Sequence, residues 1–138
     1  MSLIQTLTEK APALSAVSRY TIVCGFLYMA LGGTLYFLPG MIQWLMQDPE
    51  FAGHEAALWR IVGFVLAIIG WLYVFGGRSG TRQFIAAGII DRLFVVPIVA
   101  TPLIAAGVYP HTFTFFCILD PVLALGAWRL LARKPSVG

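Results

Sequence analysis

Long apolar stretches separated by short polar ones dominate this 138-residue chain. Nearly unbroken apolar runs cover approximately residues 20–38, 57–75, 84–107 and 112–130. Each reaches the ~20 residues that a helix needs, at about 1.5 Å per residue, to cross a hydrocarbon core about 30 Å thick. The connections are short, which favours antiparallel neighbours. In lipid, the backbone of each run must also satisfy its own hydrogen bonds. The pattern therefore predicts an all-α integral membrane antiparallel four-helix bundle, a single transmembrane domain over residues 1–138. The segment before the first run is polar, but Leu3, Ile4 and Leu7 share a helical face ahead of Pro12, as in a short interfacial helix. The first run is longer than a typical signal-peptide core, and no small-residue cleavage site follows it. It is therefore expected to be an uncleaved span ending in the Pro39-Gly40 turn.

Composition agrees with this division: 59% of the residues are hydrophobic and 11% charged, against roughly 25% charged in an ordinary soluble domain. Charge placement adds an orientation. Lys10, Arg19, Arg78, Arg82, Arg129, Arg133 and Lys134 flank the spans at the N-terminus, the second loop and the C-terminus. The first and third loops lack Lys and Arg, and the first carries Asp48, Glu50 and Glu55. Basic residues collect on the cytoplasmic side, so both termini are expected there. The net charge of +3 then reflects membrane orientation; no clustered basic surface argues for nucleic acid, and the lipid bilayer is the expected partner. Tyr20, Tyr73 and Trp128 are expected in an inner aromatic belt, with Tyr36, Trp44, Trp59 and Tyr109 in an outer one.

Within this frame, Gly25 and Gly32 in the first span repeat the spacing of Gly63 and Gly70 in the second. Such faces let two helices approach closely where lipid removes the hydrophobic drive, so contact between these spans is expected. The first loop mixes Met41, Ile42, Trp44, Leu45 and Met46 with its three acids, which suits an interfacial segment over the mouth of the bundle. His54 and His111 occupy the two acidic-side loops without metal-ligand spacing or nearby Cys, so no metal is expected. Cys24 and Cys117 fall on the order of 15 Å apart in depth, beyond disulfide reach, and are expected to be buried thiols.

Four ionisable residues lie inside spans: Arg60, Asp91, Arg92 and Asp120. Such groups are expensive in lipid, turn inward and pair, and mark functional sites by default. Helical rise places Arg92 roughly 12 Å and Asp120 roughly 18 Å from the cytoplasmic edge, so the two are expected together, with Arg60 reaching down from the other side. Asp91 points about 100° away from Arg92 and is expected to meet Arg19 or Arg82, or to stay protonated in a low-dielectric pocket. Pro97, Pro102 and Pro121 remove helical hydrogen bonds nearby and make a midplane pocket between spans two, three and four plausible. A buried ion-pair network that only fixes helix register is the competing interpretation.

The strings Trp59-Arg60-Ile61-Val62-Gly63, Gly70 with Tyr73, Gly76-Gly77-Arg78, Asp91-Arg92-Leu93, Leu119-Asp120-Pro121 and Trp128-Arg129-Leu130-Leu131 resemble the DoxX-like small four-span bacterial membrane proteins. The resemblance covers roughly residues 57–134. It implies a four-helix bundle in the bacterial inner (cytoplasmic) membrane and a redox-complex partner. The spans contain no haem-ligating histidine pair, so electron transfer would fall to that partner, and no cofactor is expected in this chain. The expected function is a binding or accessory protein that holds a small apolar ligand, such as a lipid or quinone, beside Arg60, Asp91, Arg92 and Asp120. The alternatives are a membrane-embedded enzyme using Asp91 or Asp120 as general acid or base, and a proton-coupled transporter working as a homo-oligomer.

Overall fold

A computed structural model describes residues 2–133 and contains helices and connections with no strand among them. Lys134, one of the flanking charges, lies outside the described residues. In chain order the helices are α1 (Leu3–Thr8), α2 (Ala16–Phe37), α3 (Pro39–Met46), α4 (Glu55–Ser79), α5 (Arg82–Ile90), α6 (Val96–Ala105) and α7 (Pro110–Ala132). A π-helical turn, Asp91–Val95, joins α5 to α6, so that Arg82–Ala105 forms one span. With α2, α4 and α7 this gives four helices long and apolar enough to cross a membrane. Many large apolar side chains on them, among them Phe26, Ile61, Phe94, Ile98 and Ile118, are exposed. The protein is therefore a multi-pass membrane protein whose solvent on those faces is hydrocarbon.

The glycine faces decide how α2 meets α4. A Cβ on Gly25 would stand 2.6 Å from the Gly70 carbonyl oxygen, and one on Gly32 would stand 2.5 Å from the Gly63 carbonyl oxygen. Rising numbers in α2 meet falling numbers in α4, so the two helices run antiparallel with their backbones in contact. Dispersion between close backbones is what glycine faces contribute in lipid. On the other side of α2, Val17 packs with Ile85, Ile89, Ala124 and Ala127 into a small core that ties α2 to α5 and α7.

Polar contacts separate the molecule into a basic and an acidic end. The Thr8 carbonyl accepts from Arg78 Nη2 at 3.0 Å, and Arg82 Nη2 donates to the Leu131 carbonyl at 3.4 Å. These bonds bring the N-terminal segment, the α4–α5 turn and the end of α7 together, and with them the flanking cations. At the other end Asp48 and Glu55 meet the start of α7.

At this acidic end the fold does something the sequence pattern does not announce. Asp48 is 5% exposed and accepts from the amides of His111 (3.0 Å) and Thr112 (2.8 Å) and from Thr112 Oγ1 (2.5 Å). The first turn of α7 has unpaired N–H groups and a positive dipole end, so a carboxylate from another loop caps it. Burial alone would raise the Asp48 carboxyl, but the Thr112 hydroxyl and the His111 and Thr112 amides outweigh it and hold the carboxyl below its ordinary range. His111 Nδ1 lies 3.1 Å from the same carboxylate. Glu55 accepts from Tyr109 Oη at 2.6 Å, and the Tyr109 ring packs edge-on against Trp59. Trp59 is thus buried under the loop and does not stand in the outer aromatic belt.

Candidate intramembrane site

The backbone at the middle of the third span explains where its two charges go. Pro97 has no N–H with which to close an α-helical bond onto Leu93, and just before it the ladder slips by one residue: the Val96 amide bonds to the Asp91 carbonyl. Asp91 and Arg92 leave this turn in different directions. Arg92 is 3% exposed, whereas Asp91 is exposed and makes no side-chain hydrogen bond or ion pair among the described residues. The expected partners of Asp91 are engaged elsewhere: Arg19 donates to the Leu14 carbonyl and Arg82 to that of Leu131.

Arg92 is built into a polar cluster contributed by all four spans. Its Nε donates to the Gly88 carbonyl at 2.9 Å, one turn back in α5. The guanidinium carbon stands 5.0 Å from the centroid of the Tyr73 ring of α4, a cation–π contact. Cys24 and Tyr28 of α2 pack with Tyr73 in one buried cluster, and Asp120 of α7 joins it through Tyr28. Tyr28 Oη donates to Asp120 Oδ1, and the Tyr28 ring meets Tyr73 edge-on with centroids 5.6 Å apart. Tyr73, expected in the inner aromatic belt, is thereby buried at the site and turned to the interior of the molecule. Arg92 Nη1 is buried with no hydrogen-bond partner, so donor capacity remains inside the cluster.

Asp120 is 5% exposed and stands at the edge of one cleft. An apolar cleft of about 290 Å³ lies between α4, the third span and α7, walled by Val62, Leu66, Val96, Val99, Phe113 and Phe116, with Asp120 as its one ionisable residue. The wall of the cleft contains exposed side chains, Val62 and Val99 among them, so its mouth opens toward hydrocarbon.

The residues singled out in sequence therefore separate. Arg92 and Asp120 belong to one cluster. Arg60 is exposed on α4 and makes no hydrogen bond or ion pair among the described residues, so Asp120 is not held between two arginines. Tyr28, Tyr73 and Cys24 take the places expected for Arg60 and Asp91. One sequence signal marks Tyr28: it stands mid-span, on the stripe Tyr20, Cys24, Tyr28 at helical spacing, where an interfacial tyrosine would have no reason to be. Both cysteines are free, Cys24 within the cluster and Cys117 half-buried on α7.

Comparison with protein-family models, with curated proteins and with solved structures gives no match.

Proposed function

We propose that this chain is a DoxX-like antiparallel four-helix bundle of the bacterial inner membrane, both termini cytoplasmic, that binds a small apolar ligand such as a lipid or quinone beside Asp120. The observation that carries the proposal is the placement of a buried acidic residue in the lining of an otherwise apolar cleft that opens to hydrocarbon. Binding sites for apolar molecules combine such walls with a few polar groups that fix orientation. Among the described residues Asp120 has one hydrogen bond, from Tyr28. The carboxylate retains acceptor capacity for a ligand hydroxyl. An amphiphile with one hydroxyl and an apolar body fits this chemistry: a hydroquinone, or a lipid alcohol. The acid–base alternative needs two carboxylates at one site, and Asp91 does not line the cleft, so binding is preferred.

The full chain in lipid nanodiscs, titrated with a decyl-substituted benzoquinol and with decanol, tests this. Saturable binding of at least one probe is expected. Asp120→Asn should weaken it roughly tenfold, the worth of a hydrogen bond to a charged group, and Val99→Trp, which fills the cleft, should abolish it. Binding that survives both substitutions unchanged, or no saturable binding of either probe, would overturn the proposal.

A further inference from the structure

A second groove lies away from the charged cluster, at the basic end. A groove of about 820 Å³ lies between α1 and the last turns of α4, and its lining includes Leu3, Leu7, Lys10, Trp71, Phe75 and Ser79. α1 is fastened against α4 and does not dangle from it. Arg78 Nη2 donates to the Thr8 carbonyl, the Ala11 amide donates to the Arg78 carbonyl at 3.1 Å, and a Ser2–Gln5 capping box closes the start of α1. The groove is thus a built feature with two fixed walls.

Its chemistry changes along its length. Trp71 stands eight residues before Ser79 in α4, about 12 Å along the helix axis. One part of the lining is therefore aromatic and aliphatic, formed by Trp71, Phe75, Leu3 and Leu7, and another carries Ser79, Glu9 and Lys10. The guanidinium of Arg78 lies 6.0 Å from the ring centroid of Phe75, which lines the groove, and its Nε is buried without a hydrogen-bond partner. The end as a whole carries Lys10, Arg19, Arg78, Arg82, Arg129 and Arg133 against Glu9, which also lines the groove. An apolar groove at the basic end of the molecule complements an amphiphile of the bilayer, with one acyl chain along the apolar lining and one anionic phosphate among the cations of that end.

We infer that the groove between α1 and α4 is a binding site for an anionic phospholipid, with an acyl chain laid on Trp71 and Phe75 and the phosphate at Lys10. The site is separate from the Asp120 cleft and does not depend on what that cleft holds. Seating of a lipid against Leu3 and Leu7 would also explain why α1 presents these leucines away from any protein core.

Tryptophan quenching by brominated lipid tests the inference. The full chain is reconstituted in phosphatidylcholine nanodiscs containing a minor fraction of phosphatidylglycerol with brominated chains, or the same fraction of phosphatidylcholine with the same chains. The brominated phosphatidylglycerol should quench more strongly, and the excess should vanish in Trp71→Phe. Lys10→Gln should weaken the apparent affinity about fivefold, the effect of one basic residue at an anionic surface. Both side chains are exposed, and both substitutions keep the fold's buried contacts. Equal quenching by the two lipids would reduce the groove to ordinary annular contact and overturn the inference, as would an excess that persists in Trp71→Phe or ignores Lys10→Gln.

Discussion

Tyr28 Oη donates a hydrogen bond to Asp120 Oδ1, joining the first and fourth spans across 92 residues of sequence in the interior of the molecule. Both side chains are buried, so the bond fixes the relative height of α2 and α7 and orients the carboxylate of a residue that lines the cleft.

Removing the donor by Tyr28→Phe leaves a buried carboxylate without its one protein hydrogen bond, at a cost of about 1–3 kcal/mol. Thermal unfolding in a mild detergent, followed by circular dichroism, should show the lower midpoint. In an Asp120→Asn background the same substitution should cost clearly less, because the charge needing the donor is gone. Equal costs in the two backgrounds would mean that the bond contributes nothing.

The two neighbouring glycines of α2 provide an internal control. Gly32 lies against the α4 backbone, whereas a Cβ on Gly33 would meet nothing within 4 Å. Gly32→Ala must push two helices apart and should destabilise by about 1–3 kcal/mol. Gly33→Ala should be neutral or stabilise by up to about 1 kcal/mol through helix propensity. Similar behaviour of the two variants would remove the basis for the α2–α4 interface.

Hydrophobic length alone located the spans because lipid imposes one requirement on every residue of a crossing helix. The glycine spacing likewise located the α2–α4 interface, since small residues two turns apart have one main use in a bilayer. The candidate site was only half legible. Residue counting measures depth and brought Arg92 and Asp120 to a similar level, but it carries no information on which way each helix is rotated; in the structure Asp120 is bonded by Tyr28, whereas Arg92 is held by Gly88 and Tyr73. Arg60 therefore looked equivalent to Arg92 yet is exposed, and the π-helical turn before Pro97 altered the face of Asp91. Asp48 was missed for a different reason: capping by a residue 64 positions away has no local pattern.

The Asp48 cap predicts an acid-dependent loss of stability. Its carboxyl is held below the ordinary range in the folded protein, so the unfolded chain binds a proton first as pH falls. The stabilisation is present in full above the unfolded value of about 3.9 and disappears as pH drops through the folded value. Asp48→Asn should lower the unfolding midpoint at neutral pH and flatten its decline below about pH 4. A variant whose midpoint still falls as steeply as that of the unaltered protein would place the acid sensitivity elsewhere.

Asp91 and Arg92 are adjacent in sequence and should respond oppositely to leucine. Arg92 is buried in the cluster, where it bonds the Gly88 carbonyl and stands over the Tyr73 ring, so Arg92→Leu removes both contacts and should lower the unfolding midpoint. Asp91 is exposed in the middle of a span, where an ionisable side chain on a lipid-facing helix costs about 2.5–3.5 kcal/mol. Asp91→Leu should therefore raise the unfolding midpoint in nanodiscs that hold one copy of the chain. The same comparison in discs large enough for two copies separates lipid from protein as the neighbour of this face. If Asp91 is bonded by a second copy there, Asp91→Leu will lower the midpoint and dissociate the pair; if lipid is its neighbour, the midpoint rises in both disc sizes.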